Sequence, residues 1–175
     1  MTAQDSEQQG DEQPEQLPPG MIWGVKRSFV RYIAQLMDGG HSATAGATLA
    51  LGSLFHFEQA DGSTYDPHTG TGALRFRGEV RLTGHFGMLS VTLAEPWVEF
   101  RDDGAVLTVV DHRSPDGGIR LDLATLEAGA PAEPQPGVHV WQNVPVTLTA
   151  AGQWLFNDQY PAGQQLDPLF IVHRR

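Results

Sequence analysis

The sequence predicts an α+β domain, mostly antiparallel β, built as a two-sheet sandwich or flattened barrel with one N-terminal helix. Three observations lead there. The chain has 175 residues with 40% hydrophobic and 18% charged side chains, enough for one domain with a sizeable core. Twenty glycines and twelve prolines demand many turns, which suits strands joined by short connections better than a helix bundle. Hydrophobic periodicity is helical once near the N-terminus and close to two from Ser42 onward.

Residues 1–20 carry Asp5, Glu7, Asp11, Glu12 and Glu15, no basic residue, and no β-branched side chain beyond Thr2. Such a stretch buries too little apolar surface to offset its ordering entropy, so it is expected to be a disordered acidic tail. Pro18, Pro19 and Gly20 close it, and residues 21–175 form the single folded domain. The segment from Met21 to Gly40 predicts the helix. Ile22, Val25, Phe29, Tyr32, Ile33 and Leu36 recur at three- and four-residue spacing on one apolar arc, and Gly39 and Gly40 end it.

Ala73–Leu82 alternates strictly, with Leu74, Phe76, Gly78, Val80 and Leu82 against Arg75, Arg77, Glu79 and Arg81, which predicts a half-buried strand. Met88–Leu93 is its expected hairpin partner across Thr83–Gly87. Further strands are predicted at Ala47–Leu51, Leu54–Glu58, Trp97–Arg101, Val106–Asp111, Ile119–Leu123, Val144–Thr149 and Leu169–His173, separated by turns such as Asp61-Gly62-Ser63 and Asp116-Gly117-Gly118. Ala150–Asn157 is the candidate for a short second helix, with Thr149 as its N-cap.

Net charge is −10, of which the first twenty residues supply half. An acidic body without a Lys/Arg stripe argues against nucleic acid and against an anionic membrane surface. There is no cysteine, so disulfides, thiolate ligands and cysteine nucleophiles are all excluded. The N-terminus has no basic and apolar leader, and no run is long enough to span a bilayer. A cytoplasmic location is expected, although an exported form with its signal removed would read the same. GxxxxGK[ST], HExxH and GxSxG are all absent, and the seven histidines contain no pair at helical metal-ligand spacing.

Ser28 and Tyr32 lie one turn apart on the same helix face, Tyr32 within the apolar arc and Ser28 at its edge. His85 stands at the hairpin tip between Gly84 and Gly87. Taken alone, these are a buried tyrosine with a backbone partner and a solvated loop histidine.

Trp23-Gly24-Val25-Lys26-Arg27-Ser28-Phe29-Val30-Arg31-Tyr32 resembles the opening signature of the HtaA-type haem-binding domain of bacterial haem uptake, W-G-x-K-x-S-F-x-x-Y. The likeness continues through Gly72–His85, a strand ending in a Gly-His turn, and through Leu148-Thr149-Ala150-Ala151-Gly152, Phe156, Tyr160, Gly163 and Leu166-Asp167-Pro168. It covers nearly everything from residue 22 onward. The resemblance implies that Tyr32 is the axial ligand of ferric haem b, that His85 hydrogen-bonds the ligating oxygen, and that Ser28 and, less directly, Tyr160 hold propionates. Phenolate is a hard anionic donor that favours Fe(III) over Fe(II), which suits a carrier of oxidised haem. The expectation is therefore binding, transfer or buffering of haem between donor and acceptor proteins rather than catalysis. Haem degradation or peroxidase-like turnover at the same site, and a non-haem module on the same fold, are the alternatives. Homodimerisation through a sheet face or across an exposed haem edge is compatible with the sequence.

Overall fold

Eight strands close into a barrel. The computed structural model describes residues 18–175, so nearly all of the acidic tail lies outside the described residues. In order, the elements are β1 (Gly20–Trp23), α1 (Arg27–Gln35), β2 (Gly40–Thr44), β3 (Ala47–Ala50), β4 (Leu54–Gln59), β5 (Gly72–Arg77), β6 (Glu79–Gly84), β7 (Leu89–Ala94), β8 (Trp97–Arg101), β9 (Gly104–Val110), β10 (Arg120–Leu126), β11 (Ala132–Gln135), β12 (Val138–Leu148), α2 (Ala150–Leu155) and β13 (Gln165–Arg174). Hydrogen bonding runs β1-β13-β12-β10-β9-β8-β5-β4, and β4 returns to β1. A separate three-stranded sheet, β2-β6-β7, stands beside the barrel, with β6 in its centre. Every strand pairing is antiparallel.

The mostly antiparallel α+β class is as expected, and of the two architectures the sequence left open, sandwich and flattened barrel, the chain forms a barrel, closed by β1. Gly20–Trp23 pairs with Leu169–Val172 on one side and with Phe55–Glu58 on the other, which seals the sheet on itself. Its side chains are buried on both faces. The sequence reading placed Met21–Val25 in the helix. A short wholly apolar run fits either period, and what decides it is pairing with strands more than thirty and more than one hundred residues away. Folded structure accordingly begins at Gly20, inside the predicted tail.

The long predicted strand at 73–82 is also two strands in two sheets. Gly78 sits at φ +128, and a Cβ there would lie 2.4 Å from the backbone nitrogen of Ala47. Only glycine permits that left-handed turn and that approach. Glu95 fixes the break, its backbone N–H donating to the Gly78 carbonyl at 2.8 Å and its carboxylate accepting from Gly78 N–H at 3.1 Å. Alternation survives the break, so Leu74 and Phe76 enter the barrel while Val80 and Leu82 pack under the small sheet, all four fully buried. Burial of each such side chain contributes roughly 1.5–3 kcal/mol.

The far end of the barrel holds a cross-strand histidine pair. His139 on β12 faces His173 on β13, both buried, with near-parallel rings 6.1 Å apart and Tyr65 beside His139. Burial, with the charges of His139 and Arg175 adding to it, pushes His173 down to about 4 from an ordinary 6.5. The unfolded chain therefore takes its proton first, so this residue lowers stability as pH falls from about 6.5 towards 4, by up to about 3 kcal/mol. Urea melts of wild type and His173→Leu between pH 7.5 and 4.5 check this: the variant is expected to lose distinctly less stability over that interval. Equal slopes would show that His173 does not carry the acid sensitivity. Among the described residues, no helix is long and apolar enough to cross a membrane.

Candidate functional site

Helix α1 has no side-chain cap from Lys26, its extended N-cap residue. The cap comes from the other end of the chain. Asp167 Oδ2 accepts the Arg27 backbone N–H at 2.9 Å, the Asp167 carbonyl accepts the Trp23 indole N–H at 2.7 Å, and Asp167 N–H donates to the Val25 carbonyl at 3.0 Å. Val25, a β-branched residue at φ +60, is the strained link between strand and helix that this clamp holds. The Trp-Gly and Leu-Asp-Pro motifs are thus two halves of one structure: an anion placed at the first turn, where free N–H groups and the helix dipole favour it.

With its start fixed, α1 buries Phe29, Val30 and Ile33. Phe29 packs edge-to-face against Phe156 and Tyr160, each at 5.8 Å, so the helix sits on the segment that follows α2. Of the predicted arc, Tyr32 is turned outward instead and is 43% exposed. The helix is only nine residues long, and its buried stripe is centred one residue away from the face that carries Ser28 and Tyr32.

The four residues singled out in the sequence meet in two pairs, Tyr32 with His85 and Ser28 with Tyr160. Tyr32 Oη and His85 Nε2 are 2.6 Å apart, although 53 residues separate them in sequence. The Tyr160 phenol is hydrogen-bonded to the Ser28 hydroxyl, and Lys26 Nζ lies 5.5 Å from the centre of the Tyr160 ring. Burial pushes the Tyr160 phenol above its ordinary 10, and the Ser28 bond pulls it back in part. Tyr160 is therefore a neutral O–H donor at physiological pH. His85 opens the 3-10 turn His85–Gly87 between β6 and β7, followed by Phe86 and Met88, which are 85% and 77% exposed. Met37, just past α1, is 99% exposed. Large apolar side chains thus stand exposed next in sequence to His85 and to the end of α1. Among the described residues no group of three or more His, Cys, Asp or Glu side chains could hold a bare metal ion.

The HtaA family model, described as Htaa, matches residues 20–172. The chain belongs to the HtaA family. The C-terminal domain of HtaA from Corynebacterium glutamicum has a similar structure, with a TM-score of 0.72 and 26% identity over 90% of this chain and 96% of that one. A His-to-Ala variant of that domain, a domain-swapped dimer, matches with a TM-score of 0.63 and 26% identity over 87% and 93% of the two chains. The haem-binding protein HtaB from the same organism shares the fold, with a TM-score of 0.66 and 21% identity over 89% and 92%. No curated protein matches by sequence.

Several residues of this HtaA domain that shape the site carried no signal of their own in the sequence. Asp38 and Asn157 act on it through backbone contacts with partners far along the chain, and Lys26, visible only as a motif position, acts through the Tyr160 ring. Asp167 was visible as part of a motif, but its capping role was not.

Proposed function

We propose that this domain binds ferric haem b on the α1 face, with Tyr32 as axial ligand, and carries or buffers it rather than transforming it. The observation that carries the reading is the 2.6 Å contact between Tyr32 Oη and His85 Nε2, placed at an exposed rim of Phe86, Met88 and Met37. Membership of the HtaA family and the likeness to a C. glutamicum HtaA domain support haem as the cargo. The residues fit a haem. A planar porphyrin needs apolar surface, which the rim offers, and its two carboxylates need donors, which Ser28, Tyr160 and the Lys26 ammonium offer.

The pair solves a proton problem. A phenol must lose its proton to become an anionic donor, and free tyrosine does so only near pH 10. In the free protein the Tyr32 O–H can donate to Nε2. With ferric haem bound, Tyr32 would hold the iron as phenolate, and His85, having taken the phenol proton at Nε2, would donate that imidazolium N–H to the phenolate oxygen. Bound iron supplies the positive charge that favours the phenolate.

The domain's partners are then haem and the proteins that give or take it, with no role for nucleic acid. The test is titration of apoprotein with hemin followed by visible spectroscopy. Saturation at a single haem per chain is expected, and absence of saturable binding would reduce the family likeness to fold. His85→Ala is expected to keep haem but to pass it to apo-myoglobin about tenfold faster, the usual scale for losing a ligand's hydrogen-bond partner. An unchanged transfer rate would remove His85 from the account.

A further inference from the structure

His85 and Phe86 both hold left-handed backbone, at φ +51 and +55, before Gly87 at +85. Two successive non-glycine residues in that region are sterically disfavoured, and while His is among the residues that tolerate it, the bulky Phe86 is not. Phe86 gains nothing by burial, being 85% exposed. The strained turn must therefore be held from outside.

Two side chains hold it. Asp38 Oδ2 accepts the Phe86 backbone N–H, and Asn157 Nδ2 donates to the Met88 carbonyl at 3.2 Å. Asp38 lies three residues beyond the last residue of α1, so its tether joins the helix that bears Tyr32 to the turn that bears His85. The approach between them is close by construction. A Cβ on Gly84 would lie 2.5 Å from Leu36 Cδ1, so the end of α1 rests directly on the start of the turn.

We propose that Asp38 is a positioning residue that holds His85 Nε2 against Tyr32 Oη, acting on the turn's backbone without touching either ring. Its consequence for haem rests on the function proposed above; its geometry does not. A carboxylate on a backbone N–H forms one of the stronger hydrogen bonds a protein makes. Without it the strained conformer loses population to relaxed ones, in which His85 points elsewhere. The fraction of molecules with the pair in place falls, and the histidine's hold on the ligating oxygen falls with it.

The experiment uses the full chain without haem, reading the His85 ring nitrogen shifts and its contacts to the Tyr32 ring by NMR. In Asp38→Ala the contacts are expected to vanish and the Nε2 shift to move to that of a free imidazole. Asp38→Asn keeps an acceptor oxygen and should retain both. Adding Phe86→Gly to Asp38→Ala should restore them, because glycine takes the left-handed turn without a tether. With haem, transfer to apo-myoglobin should be about tenfold faster in Asp38→Ala and close to wild type in Asp38→Asn. Unchanged His85 shifts and contacts in Asp38→Ala overturn the proposal. Should Asp38→Ala lose global amide dispersion, the Asp38→Ala/Phe86→Gly variant decides: dispersion recovered without the Tyr32–His85 contact also overturns it. Failure of the wild-type chain to take up hemin would sink the haem reading alone, since the apoprotein spectra still decide the role of Asp38.

Discussion

Tyr32→Phe is expected to leave the barrel intact while lowering haem affinity by at least about 100-fold, more than the 10–100-fold typical of losing a ligand's supporting group. The fold should tolerate it because the side chain is 43% exposed and the ring is kept; the one hydrogen bond lost, to His85, is an exposed one worth about 1 kcal/mol at most. Circular dichroism and a thermal melt check the fold, and hemin titration checks the affinity. The separation of the two readouts is the informative part. A buried structural tyrosine would lose stability on substitution and leave the haem affinity of whatever remained folded unchanged. A ligand does the reverse.

The second large effect concerns stability. Gly152→Ala should destabilise the domain by about 3 kcal/mol, although alanine is the better helix former by about 1 kcal/mol. A Cβ at 152 would lie 2.1 Å from the Leu123 carbonyl oxygen on β10 and 2.7 Å from Leu148 Cδ1. Helix α2 is pinned there: Thr149 Oγ1 accepts the Gly152 N–H at 2.9 Å, and Thr149 N–H donates to the Leu123 carbonyl at 3.1 Å. The helix cannot retreat without dragging Phe156 and Tyr160 off Phe29. A lowering of the melting temperature by roughly 10 °C is therefore expected for a domain of this size. A rise would show that intrinsic propensity outweighs the clash and that β10 yields.

How much of this could be read from the sequence depends on the range of the interaction. Local signals were legible. Thr149 as N-cap of a short helix is a matter of three residues, and the structure has it. The β6–β7 hairpin follows from alternation on both sides of a glycine-flanked turn. What depends on distant partners was not legible. Met21–Trp23 is apolar at every position, so periodicity cannot separate strand from helix there, and misplacing it opens the barrel into a sandwich. The division of residues 72–84 between two sheets hides behind an alternation that continues across Gly78.

The site shows the same division. Ser28 and Tyr32 could be placed together from helical spacing, and the family likeness supplied His85 and Tyr160. The distance between Tyr32 and His85, the exposure of Tyr32, and the tether from Asp38 to a backbone N–H 48 residues away have no local signature. Charge and composition read the partner class by exclusion only. The Asp167 clamp on α1 explains why a Leu-Asp-Pro motif near the C-terminus accompanies a Trp-Gly motif near the N-terminus, which the sequence shows as two unconnected facts.

Resonance Raman spectroscopy of the hemin-loaded chain, excited in its visible charge-transfer band, tests the central claim most directly. Iron–phenolate modes are predicted for wild type, and these must vanish in Tyr32→Phe while the protein stays folded. Haem bound without phenolate modes in wild type, or with modes that persist in Tyr32→Phe, would contradict ligation by Tyr32.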